Sequence, residues 1–86
     1  MPEISRFYGI SIFLYPHEHP PAHFHAFYGD DEAMFDIETL QILEGSLPNR
    51  ARSFVVEWAE LHHDELFVAW NRLRAGQTPA KIAPLK

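Results

Sequence analysis

The 86-residue chain contains no cysteine, so it has neither disulfide bonds nor the thiolate ligands of many structural zinc sites. No apolar run approaches the roughly 20 residues that a membrane-spanning helix needs. The N-terminal segment carries an acidic residue at position 3, Glu3, and lacks the small-residue cleavage site of a signal peptide. These absences predict a cytoplasmic protein of bacterial type.

Motifs of nucleophilic catalysis are also missing from the sequence. It has no cysteine nucleophile, no G-x-S-x-G segment and no glycine-rich phosphate loop. A hydrolase built on this chain would therefore need water, a metal ion or a substrate hydroxyl as its nucleophile. The sequence alone leaves open whether the protein is an enzyme.

Basic residues are scarce and unevenly placed. Residues 1–45 contain eight acidic side chains and one basic one, a formal charge of −7, whereas residues 46–86 contain four acidic and six basic ones. Binding to nucleic acid relies on clustered lysine and arginine, so this layout argues against it. We expect the partner to be a small protein or a second copy of the chain, and we expect no membrane contact.

What the chain does contain is enough apolar material for one small core. Hydrophobic residues make up 47% and aromatic residues 14% of the sequence, which predicts a single domain over residues 1–86. β-branched, aromatic or alternating segments within about residues 4–44 predict an antiparallel sheet of three or four strands. The clearest strand segments are 10–15, 22–28, 32–38 and a short one at 41–43.

The second half of the chain has a helical pattern. From Pro48 to Ala75 nothing breaks a helix, and Gly76 with Pro79 would end it. One continuous helix of that length would measure about 40 Å and overhang a small sheet. We therefore expect either a kink near residues 62–65 or packing of the far end on a second copy. The tail, residues 76–86, should be extended. The predicted fold class is α+β, with a long or kinked C-terminal helix against the sheet.

The segment HEHPPAHFHA at residues 17–26 holds four of the six histidines. In the predicted strand, His23 and His25 share one face, opposite Phe24 and Ala26. If the core faces of this strand and the next coincide, one register pairs Phe24 with Ile37. That register places Asp36 directly opposite His25, and Glu38 directly opposite His23.

Three interpretations of this patch remain open. The four side chains His23, His25, Asp36 and Glu38 could be solvated cross-strand polar pairs, each contributing a fraction of a kcal/mol. They could instead ligate zinc, manganese or iron, with His17, His19 or His62 as further donors. Third, a histidine held by a carboxylate could act as a general acid or base near neutral pH.

The sequence also resembles a known family. The opening MPEISRFYGISIFLYP, the motif H-P-P-A-H-F-H-A and the segment WAELHHDEL resemble the small bacterial domain of unknown function 4160. The resemblance implies a short, stand-alone cytoplasmic protein with no established activity, often encoded beside another small protein as in toxin–antitoxin or regulatory pairs. Two positions depart from the family pattern, with Ala22 in place of a further proline and Leu40 in place of a turn glycine. The motif falls on His19, Pro20, Pro21, His23, Phe24 and His25.

Two functions are consistent with these features. The first is a non-catalytic interaction or regulatory module whose histidine-rich edge contacts a partner. The alternative is a metal-dependent hydrolase or nuclease that uses the histidine and carboxylate cluster. A pH-responsive surface is a further option, because protonation of six histidines would move the formal charge from −5 to about +1.

Overall fold

A computed structural model describes residues 3–86; Met1 and Pro2, which open the first segment of the family resemblance, lie outside the described residues. Five strands form one antiparallel sheet in the order β1-β2-β3-β4-β5, and two helices follow. Each strand therefore lies beside its sequence neighbour, as expected when short turns connect antiparallel strands. The elements are β1 Glu3–Phe7, β2 Ile10–Phe13, β3 His23–Tyr28, β4 Asp31–Asp36, β5 Ile42–Gly45, α1 Asn49–Leu61 and α2 His63–Arg74.

The α+β class is confirmed, but the prediction of three or four strands is wrong, because the sheet has five. The strand that lacked a clear segment of its own is β1, whose sequence EISRF mixes polar and apolar residues without a strong β pattern. It pairs with β2 through a two-residue turn in which Tyr8 and Gly9 both have positive φ, 51° and 78°. Such turns match the twist of a hairpin, so the turn rather than strand propensity establishes β1.

The hairpin of β3 and β4 has the predicted core face but a different register. Phe24 lies opposite Phe35, and Ala26 opposite Ala33, so the pairing is shifted by two residues from the prediction. Tyr28 pairs with Asp31, which leaves Gly29 and Asp30 as a two-residue turn; the predicted register required a four-residue loop. A shift of two keeps every side chain on its face but changes its partner.

One face of the sheet forms the core with the two helices. Phe24 stacks on Phe35 with ring centroids 5.3 Å apart, and Trp58 of α1 meets Phe24 at 5.9 Å. All three side chains are completely buried. The other buried apolar residues of the strands and helices join the same cluster, including Ile10, Ile12, Leu14, Val55 and Leu66. Burial of this single apolar face is the main stabilising contribution that the sheet receives.

The prediction of one long helix is wrong, because the C-terminal half contains two helices that are separated at His62. His62 has φ −118° and ψ 28°, outside the helical region. Asp64 and Glu65 lie in the first turn of α2, where negative charge favours a new helix N-terminus. The break falls where a kink was the alternative, and it lets both helices bury side chains in the same core.

The tail after α2 runs along the core without forming a helix or strand. The Ile82 N–H donates to the carbonyl of Ile4 in the edge strand β1 over 2.8 Å, and the Trp58 indole N–H donates to the carbonyl of Ala83, also over 2.8 Å. Ile82 and Leu85 are buried. Among the described residues, no helix combines the length and apolar character that crossing a membrane requires.

Strand β5 approaches β4 very closely at its last residue, Gly45. This residue has φ +78°, and a Cβ atom built on it would overlap the carbonyl oxygen of Glu32. The same oxygen accepts a hydrogen bond from the N–H of Ser46 over 3.0 Å. Only glycine satisfies both the backbone conformation and the close contact here.

We therefore expect Gly45→Ala to lower the free energy of unfolding by about 2–4 kcal/mol, as measured by urea denaturation. Gly29→Ala is the matched control, because Gly29 also has a positive φ of 59° but has open space around its Cα. It should lose only about 1 kcal/mol, the usual cost of a left-handed residue with a Cβ. Equal losses in the two variants would contradict the role of the contact with Glu32.

Candidate functional site

A proline-containing loop folds Glu18 back over the start of β3. The loop joins β2 to β3 and includes a positive φ of 66° at His17 and a cis peptide bond between Pro20 and Pro21. The side chain of Glu18 is 27% exposed and reaches the imidazoles of His23 and His25. The other two histidines of this segment, His17 and His19, lie in the loop and are exposed.

The imidazole of His23 is buried, with only 6% of its side chain exposed. Its Nδ1 lies 2.7 Å from the carbonyl oxygen of Pro21. A carbonyl only accepts hydrogen bonds, so Nδ1 carries a proton, and in the neutral tautomer of the ring the lone pair lies on Nε2. Trp70 of α2 packs against the ring with centroids 5.1 Å apart. The hydrogen bond and this packing hold both the tautomer and the orientation of the ring.

His25 lies two residues further along β3, on the same face, between two carboxylates. Its Nε2 is 2.8 Å from Oε1 of Glu18, and its Nδ1 is 3.3 Å from Oε2 of Glu32. Tyr15 packs edge-on against the ring at a centroid distance of 4.7 Å. Each ring nitrogen of His25 therefore has a carboxylate partner, while the ring itself is only 12% exposed.

Glu18, His23 and His25 together form the candidate site. Each offers one ligand atom, and these three atoms lie within 4.8 Å of one another. The Nε2 of His23 lies 3.2 Å from Oε1 of Glu18, within ion-pair distance. Their relative orientation does not make a hydrogen bond, so this buried nitrogen has no hydrogen-bond partner among the described residues. Buried polar atoms without a partner are rare in folded proteins, and the site therefore calls for a chemical explanation.

The charges around the site shift two pKa values. Burial alone would raise the pKa of Glu18, but the hydrogen bond with His25 and the attraction of both imidazole rings outweigh it and lower the pKa below 4.5. Burial, followed by the negative charges of Glu32 and Glu18, raises the pKa of Tyr15 above 10.0. At neutral pH, Glu18 is thus an anion beside the two imidazoles, and Tyr15 keeps its proton.

The structure changes which residues of β4 lie opposite the two histidines. His23, not His25, lies opposite Asp36, while His25 lies opposite Met34, so the predicted cross-strand pairs are wrong. The Oδ1 of Asp36 accepts the backbone N–H groups of Glu38 and Thr39, which stabilises the turn after β4. Glu38 is exposed and follows the end of β4. The metal site predicted on His23, His25, Asp36 and Glu38 stays a prediction.

Of the remaining predicted donors, none joins the three-residue group. His62 pairs with Glu65 through Nδ1 at 2.6 Å, at the break between the helices. In the H-P-P-A-H-F-H-A motif, Phe24 belongs to the core, while Pro20 and Pro21 shape the loop that carries Glu18. The motif therefore divides into loop, core and site residues.

Sequence reasoning missed Glu18 as a site residue. It lies between His17 and His19, five and seven residues before the two strand histidines. Its position inside the histidine-rich segment was a signal, but sheet periodicity assigns faces only to strand residues. A loop residue carries no such information, because its direction depends on the turn that follows.

Comparison with known proteins places the chain in a family. The sequence model described as a domain of unknown function (DUF4160) matches residues 9–71 of the 86. The chain belongs to the DUF4160 family. The match includes Glu18, His23 and His25, and it leaves β1, the end of α2 and the whole C-terminal tail outside. No curated protein and no solved structure matches the chain.

The lowered pKa of Glu18 in this DUF4160 protein has a consequence for stability. A carboxyl whose pKa is lower in the folded state stabilises the fold above its unfolded pKa, and this contribution is lost as the pH falls through the folded pKa. We expect the free energy of unfolding of Glu18→Gln to fall less than that of the wild type as the pH is lowered from about 5 to about 2. Urea denaturation at a series of pH values measures this slope.

The matched control is Glu57→Gln, which removes a carboxyl from the exposed surface of α1. Its acid-induced loss of stability should follow that of the wild type. If Glu18→Gln lost stability in acid as steeply as both other proteins, the imidazoles would not be holding Glu18 in its ionised form.

Proposed function

We propose that this DUF4160 protein is a non-catalytic protein-interaction module of a regulatory kind, acting in the bacterial cytoplasm. The observation that carries this proposal is the second face of the sheet. It carries three half-buried aromatic side chains, Phe13, Tyr15 and Phe27, which we call the aromatic face. Their ring contacts are with one another and with His25. Clustered aromatic side chains that keep solvent exposure are typical of protein-binding surfaces.

The charges beside the aromatic face favour a basic partner. Glu32 lies directly opposite Phe27, and Glu44 lies opposite Met34 on the same side of the sheet. Glu18 adds a third carboxylate next to Tyr15 and His25. Two copies of this chain would bring like charges together at such a surface, which opposes self-association through it. A small protein with exposed lysine or arginine is therefore the proposed partner.

The family resemblance supports the choice of candidate. It implies a second small protein encoded beside this one, in an arrangement similar to toxin–antitoxin or paired regulatory modules. We propose that this neighbouring gene product is the basic partner. The protein would then act by covering a surface of its partner, which needs no catalytic residue.

A binding measurement with the purified neighbouring gene product tests this proposal. We expect Phe27→Ser to weaken binding at least about tenfold, because truncating a central aromatic contact typically costs more than 1 kcal/mol. Added salt should weaken binding of the wild type, since its surface is acidic. Titration calorimetry in the presence of a chelator measures both effects without any contribution from metal.

Val68→Ser is the matched control, because Val68 is an apolar residue that is 53% exposed on α2, a different surface of the molecule. It should bind like the wild type, and the circular dichroism of both variants should show intact folds. Failure of the wild type to bind this protein, or equal weakening in the two variants, would contradict the proposal. A dimer that Phe27→Ser dissociates would replace it with self-association.

A metal-dependent hydrolase or nuclease is the second candidate function. The observation that favours it is the convergence of Glu18, His23 and His25, since two imidazoles and one carboxylate form the ligand set of several catalytic metal sites. The nucleophile would be a metal-bound water, because the chain has no cysteine. Glu32, beside His25, would orient that ring.

This candidate predicts cleavage of a chromogenic phosphodiester or a single-stranded RNA only after addition of Zn²⁺ or Mn²⁺. The rate should fall by at least about 100-fold in His25→Ala, because a metal-activated water carries the reaction. His19→Ala is the control, since His19 is an exposed loop residue outside the three-residue group. If protein that demonstrably holds metal shows no turnover, this candidate function is excluded.

A further inference from the structure

We propose that Glu18, His23 and His25 form a mononuclear binding site for a divalent transition-metal cation such as Zn²⁺. The ligand atoms are Oε1 of Glu18 and the Nε2 atoms of both histidines. This site does not depend on a protein partner, and it holds whether or not the protein is a hydrolase. Its argument rests on a buried donor atom, on the partners behind the ligands and on the distances between them.

The buried donor atom is Nε2 of His23. Its ring is 6% exposed, its proton is held on Nδ1 by the Pro21 carbonyl, and Nε2 itself makes no hydrogen bond among the described residues. Oε1 of Glu18 lies 3.2 Å from this atom, so a cation placed between them would meet a negative charge as well as a lone pair. A metal ion uses the lone pair of this atom directly. Neutral imidazole in a fixed tautomer is the form of histidine that ligates metals.

The atoms behind the two imidazoles match the usual support of metal ligands. Histidines that bind metals almost always donate their other ring N–H to a backbone carbonyl or a carboxylate. His23 uses the Pro21 carbonyl at 2.7 Å, and His25 has Oε2 of Glu32 at 3.3 Å from its Nδ1. Both kinds of support are therefore present, one for each ring. Trp70 and Tyr15 additionally restrict ring rotation by packing.

The distances between ligand atoms are close to those of a metal site. Bonds of about 2.0–2.1 Å in a tetrahedral arrangement place neighbouring ligand atoms about 3.3 Å apart. Oε1 of Glu18 lies 3.2 Å from Nε2 of His23 and 2.8 Å from Nε2 of His25. A cation bound here would take the place of a proton shared by Nε2 of His25 and Oε1 of Glu18, and that proton would go to solvent. All three ligand atoms lie within 4.8 Å of one another, so side-chain movement would bring the two imidazole nitrogens to tetrahedral spacing.

The donor set selects the class of metal. Two imidazole nitrogens and one carboxylate oxygen suit Zn²⁺ and related transition metals, whereas Mg²⁺ and Ca²⁺ prefer oxygen ligands alone. Three protein ligands leave at least one position for water, as in sites that are not purely structural. The 27% exposure of Glu18 lets that position reach solvent. Glu32 acts as a positioning residue for His25 and not as a ligand.

The test is a titration of chelator-stripped, tag-free protein with Zn²⁺, followed by calorimetry, and with Co²⁺, followed by visible absorption. We expect the wild type to bind one ion per chain. Glu18→Gln should weaken binding by at least about 100-fold. Glu32→Gln should weaken it by about 10- to 100-fold, the usual effect of removing the support of a ligand. NMR signals of the His23 and His25 rings should shift first as Zn²⁺ is added.

His19→Ala and His63→Ala are the matched controls, because they remove histidines outside the three-residue group. Both should bind Zn²⁺ like the wild type. Glu18→Gln avoids the buried His23, whose replacement could prevent folding, and circular dichroism would verify its fold. Absence of Zn²⁺ binding, or binding that Glu18→Gln leaves unchanged while a control variant loses it, would overturn the proposal.

The result of the Zn²⁺ titration is independent of the results that test the proposed function. Phe27→Ser alters the aromatic face but no ligand, so its Zn²⁺ affinity should equal that of the wild type. Binding of Zn²⁺ without turnover would support the metal site and remove the hydrolase. Binding of the basic partner in a chelator, together with no Zn²⁺ binding by the protein alone, would support the interaction module and overturn the metal site.

Discussion

Burial of one face of the meander sheet against the helices is the constraint on which the candidate site depends. Because Phe24 and Ala26 of β3 are held in the core with Trp58, the side chains of His23 and His25 are forced to the other face. A strand with two polar faces could slip by one residue and turn both histidines into the core. The cost of exposing the apolar set prevents that slip and keeps the two imidazoles side by side.

The site is completed by backbone that is neither strand nor helix. The loop with the cis Pro20–Pro21 bond brings Glu18 to the histidines, and its Pro21 carbonyl selects the tautomer of His23. The α2 helix contributes Trp70, which closes the buried side of the His23 ring. Three separate parts of the chain therefore define one small polar cluster. The break at His62 matters for the same reason, since a continuous helix could not bury residues of both halves in a core of this size.

The proposed metal site and the aromatic face are adjacent but have no residue in common. Tyr15 belongs to the aromatic face and packs against His25, while Glu18 serves the cluster and adds negative charge beside the face. The membership in the DUF4160 family covers both regions but assigns neither of them a role. Their physical requirements differ: the face needs a large complementary surface, whereas the cluster needs only one cation. This difference allows separate measurements on the same protein.

Alternation and composition alone determined the α+β class, the core face of β3, and the placement of His23 and His25 on one side. Local periodicity holds this information because each strand must hide one face. Tertiary structure decided the partners of the histidines. The two-residue turn at Gly29 and Asp30 places Asp36 opposite His23. The proline-containing loop brings Glu18 to the two histidines. Turn geometry and loop direction depend on contacts between distant segments, so no spacing within the strands could reveal that the carboxylate beside both histidines comes from outside the sheet.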